Sequence, residues 1–191
     1  MIRETIVATL SQDNRVHVAP MGITIEGDIH VIAPFRPSTT LDNLRGNPFA
    51  VVNYTDDVRV FAGCLTGRRD WSTRPATRVR GAVLEQSLAH AEIKVVRVEE
   101  DDLRPRFHCA VVHVETHAPF RGFNRAQAVV VEAAILVSRL HMLPMEKVER
   151  EIAYLETAVA KTGGPAEKEA WGWLMEHIAE FKRQAGEGKQ A

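Results

Sequence analysis

The stretch Pro34-Phe35-Arg36-Pro37-Ser38-Thr39-Thr40 sets three consecutive hydroxyls two residues after a guanidinium. The run Ser38-Thr39-Thr40-Leu41-Asp42-Asn43-Leu44-Arg45-Gly46 has a hydroxyl cap, an acid three residues after Thr39 and a closing glycine. It predicts one short helix, which Pro48 stops from continuing. Free backbone N–H groups and the helix dipole favour an anion at such an N-terminus. Several donors and one fixed positive charge suit a phosphate monoester. The plainer alternative is a capped helix with a solvent-facing arginine.

Other residues invite chemistry less strongly. His108, His113 and His117 cluster in sequence, but His108 and His113 have opposite parity on a strand. They are expected to point to opposite faces, so no metal site is expected. His17 on a strand and Asp56 in the Asp56-Asp57 pair are the candidate proton donors. An exposed strand histidine and ordinary turn acids are the alternatives. Arg125, Glu132 and Arg139 recur every seven residues on an otherwise apolar helix. Such a stripe faces a cavity or a partner subunit, or forms an Arg–Glu network. Trp71 and Trp173 read as packing residues. No nucleophile elbow, P-loop or dinucleotide glycine fingerprint is present in the sequence.

The elements that must position these residues follow from periodicity. Thr5–Leu10, Val16–Ile23 and Ile29–Ala33 read as strands separated by Gln12-Asp13-Asn14 and Glu26-Gly27-Asp28 turns. Phe49–Tyr54 is a strand again, with more near Val79–Leu88, Ile93–Val98 and Phe107–Glu115. The stretch from Gly67 to Thr77 reads as irregular and arginine-rich. Turns at this spacing predict an antiparallel meander or barrel. Asn124 caps a helix expected from Arg125 to about Leu143, apolar nearly all round in its middle and so buried. Val148, Ile152, Leu155 and Val159 form one helical stripe, and Ala170, Trp173, Leu174, His177, Ile178 and Phe181 another. Gly163-Gly164-Pro165 separates the two as a stop and restart.

Composition narrows the classes. The 191 residues are 45% hydrophobic and 26% charged, enough for a core without staples. A net charge of −1 gives no electrostatic reason to expect nucleic acid or an anionic membrane. Cys64 and Cys109 lie far apart and form no thiolate pair motif, so a reducing cytoplasmic location is expected. The N-terminus carries Glu4 early and lacks an apolar core, so it does not read as a signal peptide, and no apolar run reaches membrane-spanning length.

Arg15-Val16-His17-Val18-Ala19-Pro20-Met21-Gly22, Gly27-Asp28, Ser38-Thr39-Thr40-Leu41-Asp42-Asn43-Leu44 and Asn47-Pro48 occur in an order that resembles the FMN-binding split-barrel superfamily. That superfamily includes flavin reductases and pyridoxamine-phosphate oxidases. Val52-Asn53-Tyr54-Thr55-Asp56-Asp57 and Gly122-Phe123-Asn124-Arg125-Ala126 narrow the resemblance to the DUF447 family, which joins this barrel to a helical C-terminal domain. The resemblance implies an α+β chain: an antiparallel split barrel over 1–122, a helical domain over 123–185 and a frayed tail at 186–191. It implies a homodimer with FMN at the subunit interface. Ser38, Thr39, Thr40 and Arg36 would hold the phosphate, and the Pro20-Met21-Gly22-Ile23 backbone would run along the isoalloxazine. Ser38-Thr39-Thr40 departs from the Ser-Arg-Lys of pyridoxamine-phosphate oxidases, so that substrate does not carry over. The phosphate charge then falls to Arg36 or to an arginine between Arg68 and Arg80. A flavin-dependent oxidoreductase is the leading reading. A non-catalytic flavin carrier or sensor, or a dimeric scaffold that has lost flavin, remain the alternatives.

Overall fold

The computed structural model describes residues 1–187 and contains two compact units. The first comprises Met1–Asp56 and Asp70–Phe120; the second comprises Asp57–Arg69 and the chain from Arg121 onward. Most of the expected tail, 188–191, lies outside the described residues, whereas Gly186 and Glu187 belong to the last helix.

The first unit is built on β1 (Ile2–Leu10), β2 (Val16–Glu26), β3 (Ile29–Ile32), α1 (Thr39–Gly46), β4 (Phe49–Tyr54), β5 (Thr73–Pro75), β6 (Ala82–Leu84), β7 (Ala89–Glu99) and β8 (Arg106–Thr116). Six strands close an antiparallel barrel in the order β1-β2-β3-β8-β7-β4, with β4 paired back onto β1. The ring is nonetheless split along one strand. β2 pairs with β1 from Val16 to Thr24, but with β3 only over Thr24–Glu26. Along Val16–Ile23 the β2 backbone therefore has no strand from β3 on its second side. The turns explain how so short a meander closes: Asn14 (φ 62°) and Gly27 (φ 61°) take left-handed conformations that asparagine and glycine tolerate.

Alternating side chains fill the barrel. Val7, Ile23, Ile32, Val52, Ile93 and Phe107 form its core, and Leu41 and Leu44 of α1 pack among them. Each such side chain contributes roughly 1.5–3 kcal/mol when fully buried. Asn43 on the same helix donates to Thr9 Oγ1 of β1 at 3.0 Å, so α1 is fixed by both apolar and polar contacts.

Of the strand expected near Val79–Leu88 only β6 (Ala82–Leu84) forms, and it pairs with β5, a short strand within the stretch read as irregular. The amides of Thr77, Arg78 and Val79 donate to the Glu92 carboxylate rather than to a ladder. Asn53 secures the hairpin from beneath. Its Nδ2 donates to the Ile6 and Val51 carbonyls, and its Oδ1 accepts from the Leu84 N–H and the Ser87 hydroxyl.

The second unit contains α2 (Val58–Leu65), α3 (Arg125–Val137), α4 (Met145–Thr162) and α5 (Pro165–Glu187). Val58 and Ala62 of α2 share a core with Ala126, Val130, Ala133, Val137, Val148 and Leu174. Residues 57–69, which sequence reading left in the barrel segment, thus cluster with the helices. Asp57 is an N-cap, not a bare turn acid: Oδ1 accepts from the Arg59 N–H at 3.1 Å. α3 stops at Val137, six residues before the expected end at Leu143. Its last carbonyls are taken by tighter i→i+3 bonds from Arg139 and Leu140, and Ser138 Oγ donates to Ile135 O. Nor is its charged stripe buried: Arg125, Glu132 and Arg139 are all exposed on this chain. Small Ala126, Ala133 and Ala134 with Val130 and Val137 form the packed face instead. No described helix is long and apolar enough to cross a membrane.

Candidate functional site

β3 delivers the chain directly into the loop before α1. Ser38 is the helix N-cap, its Oγ accepting from the Leu41 N–H at 3.3 Å. The first-turn N–H groups of a helix have no intrahelical partner, and this bond takes one of them. Thr39 is exposed, whereas Thr40 is only 2% exposed and faces the packed side. Of the three hydroxyls, one caps, one is buried and one stands open.

Charge around the loop comes from residues distant in sequence. Arg36 and Arg45 both pair with Glu100, at 3.1 and 2.9 Å. Arg104 stacks over Phe35, 4.4 Å from the ring centroid, and donates to the Ala33 carbonyl. Arg45 and Arg104 carry no motif of their own, and sequence reading missed them. Three of the five arginines between Arg68 and Arg80 make contacts elsewhere. Arg68 stacks on Trp173 in the second unit, Arg74 contacts His117, and Arg80 binds Asn14 and the Gln12 carbonyl.

Pro20, Met21, Gly22 and Ile23 lie on the part of β2 that β3 does not cover. Met21 O accepts from Thr5 Oγ1 at 2.9 Å, which ties this backbone to β1. Glu4 lies over Gly22: a Cβ there would meet Glu4 Oε1 at 3.1 Å and Ile2 Cγ2 at 3.2 Å. Leu41, Leu44 and Ile23 share one core, so the helix behind the loop and this strand belong to the same packed region. His17 is half-buried on the same uncovered stretch of β2, paired with Thr9.

Asp56 lines a cavity of about 480 Å³ at one end of the barrel, with Arg3, Glu4, Tyr54, Leu88 and Phe120. Arg3 and Glu4 are the ladder partners of Ile23 and Gly22, which links this cavity to the uncovered strand. Burial pushes the Tyr54 phenol above its usual value, and nearby Arg3 opposes that only in part, so Tyr54 is a proton-bearing donor at neutral pH. The structure does not bring His17 and Asp56 together on one lining. Of the two, Asp56 lines this cavity and His17 does not.

The histidines correct the parity argument. Ile93 pairs with Val111 but Glu92 pairs with His113, so β8 carries an extra residue at Val112. That bulge returns His113 to the outer face, the same face as His108, because Phe107 and Cys109 occupy the core. His108 stays apart from the others with Arg97 and Glu99. His113 and His117 instead converge on His90, which sequence reading did not single out.

Comparison with known proteins follows the same outline. Residues 3–118 match the N-terminal domain of DUF447, a protein family of unknown function, and residues 124–176 match its C-terminal part. The chain belongs to the DUF447 family. It resembles the FMN-bound DUF447 protein MM1853 from Methanosarcina mazei at 21% identity, with a TM-score of 0.79 over 92% of this chain and 94% of that one. More distant folds are the FMN-binding protein from Thermus thermophilus with bound p-hydroxybenzaldehyde (14% identity, TM-score 0.54, 63% and 74% covered) and Pseudomonas fluorescens 2-nitrobenzoate 2-nitroreductase NbaA (18%, 0.52, 60% and 64%). The chain thus shares its fold with the FMN-bound DUF447 protein over nearly its whole length, and with the other two over about 60% of it.

Proposed function

We propose that this DUF447 protein binds FMN at a homodimer interface and acts as a cytoplasmic oxidoreductase on a small molecule. The observation that supports it most is the uncovered backbone of Pro20–Ile23, packed through Leu41 and Leu44 against the helix whose N-terminus follows Arg36. A flat ring needs a backbone edge and a phosphate needs an N-terminus with donors, and this fold holds both in one packed region. The residues fit the group. Thr39 and the open N–H groups of the first turn would donate to the phosphate, Ser38 would shape the turn, and Thr40 would act through its backbone. Arg36, with Arg45, would supply the charge that Glu100 now balances. Relatives in fold bind FMN, as their names state.

FMN would supply the hydride or electron transfer. The chain's own work is positional: holding the phosphate, presenting the Pro20–Ile23 edge and placing a proton donor. Asp56 and Tyr54 on the cavity, and His17 on the strand, are the groups to test for that last task. Exposed Ile2 and Phe35 on the barrel offer apolar surface for the second subunit.

The test is direct. The purified chain, titrated with FMN and with riboflavin, is expected to bind FMN far more tightly and to be dimeric by light scattering. A panel of nicotinamide and deazaflavin donors should include one that reduces the complex. Full FMN occupancy with no reduction by any donor gives the carrier or sensor reading, and absence of FMN binding removes the site altogether.

A further inference from the structure

Outside that site, the outer face of β7 and β8 carries a second constellation. His90 and Glu92 alternate on β7 and stand opposite Glu115 and His113 on β8, so all four side chains share one face. The β5–β6 hairpin region lies over this face, leaving His90 and Glu92 with 0% exposure. Donor atoms of His90, His113 and Glu115 lie within 4.8 Å of one another. His113 Nε2 and His117 Nδ1 each stand 3.8 Å from a Glu115 oxygen.

Glu92 organises the group. Its two oxygens accept from the Thr77, Arg78 and Val79 amides at 2.6, 2.6 and 2.9 Å. Three N–H donors converge on its two oxygens, an arrangement that suits an ionised carboxylate. Its Oε1 lies 3.4 Å from His90 Nε2, which therefore carries the ring proton. The Nδ1 lone pair then faces His117 Nε2 at 2.8 Å, so His117 must turn aside or become a ligand itself when an ion binds.

We propose that His90, His113 and Glu115 form a binding site for a divalent transition-metal ion, with Glu92 orienting His90 from behind. Two imidazoles and one carboxylate suit a borderline ion such as Zn²⁺. A buried carboxylate on the far nitrogen of a ligating histidine fixes its tautomer and raises its basicity. Three protein ligands leave a fourth position, which His117 or a water would take. Nothing in this proposal depends on FMN.

The experiment uses the full chain, freed of metal by a chelator and titrated with Zn²⁺ against a chromophoric competitor. One equivalent should bind with micromolar or tighter affinity, and Co²⁺ should give the visible bands of a low-coordinate site. His113→Ala and Glu115→Ala lie on partly exposed positions and should weaken binding at least about 10-fold while urea midpoints stay near wild type. Glu92→Gln should weaken binding about 10- to 100-fold. His108→Ala, remote from the cluster, should change nothing. Absence of saturable binding near one equivalent overturns the proposal, as does wild-type affinity in both His113→Ala and Glu115→Ala.

Discussion

The loop before α1 and the histidine cluster on β7 and β8 both gather polar chemistry on the same barrel, by opposite routes. The loop draws its hydroxyls from three consecutive residues, of which Thr39 alone is exposed, beside the exposed Arg36. The cluster draws on β7, β8 and the 77–79 turn, and its His90–Glu92 centre is buried while His113 and Glu115 reach toward the surface. A surface site built locally is cheap to alter. A buried one assembled from distant segments is tied to the stability of the fold, because each member left unpaired costs its full desolvation.

The largest expected difference follows from that contrast. Glu92→Leu leaves the 77–79 amides and the His90 N–H without an acceptor, and should destabilise the chain by roughly 3–5 kcal/mol in urea unfolding. A loss under about 1 kcal/mol would show that the two regions do not differ in this way.

Acid should reveal the same asymmetry. His30 and His90 both titrate below the ordinary 6.5 because burial disfavours their charge. The unfolded chain then takes up protons first, so stability is full above pH 6.5 and falls as pH drops toward their folded values. Glu92 titrates below the ordinary 4.5, so its contribution is present above pH 4.5 and is lost on further acidification. Thermal melting across this range should show both declines, and Glu92→Gln should flatten the lower one.

The loop should respond in affinity more than in stability. Thr39→Ala with Arg36→Ala is expected to weaken FMN by on the order of 10- to 100-fold at an unchanged urea midpoint, since each charge-assisted bond contributes roughly 1.5–3 kcal/mol. Equal FMN affinity before and after would remove the loop from the site. Ser38→Ala should cost about 1 kcal/mol of stability through the lost cap. Smallest of all, Glu100→Ala should change stability by less than about 1 kcal/mol, because its pairs are exposed. It should leave FMN affinity equal or higher by freeing Arg36 and Arg45, and a marked loss of affinity would reverse the role given to that carboxylate.

Much of this protein was legible from its residues. Short apolar and β-branched runs bounded by turn residues fixed β4 at Phe49–Tyr54 and placed β1, β2 and β3 within a few residues of their observed ends. The cap Ser38 and the stop at Gly46 located α1, and Gly163-Gly164-Pro165 divided α4 from α5. These features depend on neighbours within one turn, so local chemistry is enough to set them. Other features depend on partners far along the chain. α2 was missed because its apolar residues find their helical partners more than 60 positions later, in α3 and α5. The end of β2's pairing with β3, which leaves Pro20–Ile23 uncovered, is set by how short β3 is in the closed ring, not by anything in β2 itself. The bulge at Val112 matters most. The sequence carried a simple strand parity that separates His108 from His113, and only the pairing of β8 with β7 absorbs an extra residue and turns His113 toward His90. Side-chain period is a property of one strand, whereas register is a property of two, and convergence of ligands from two strands is decided by register.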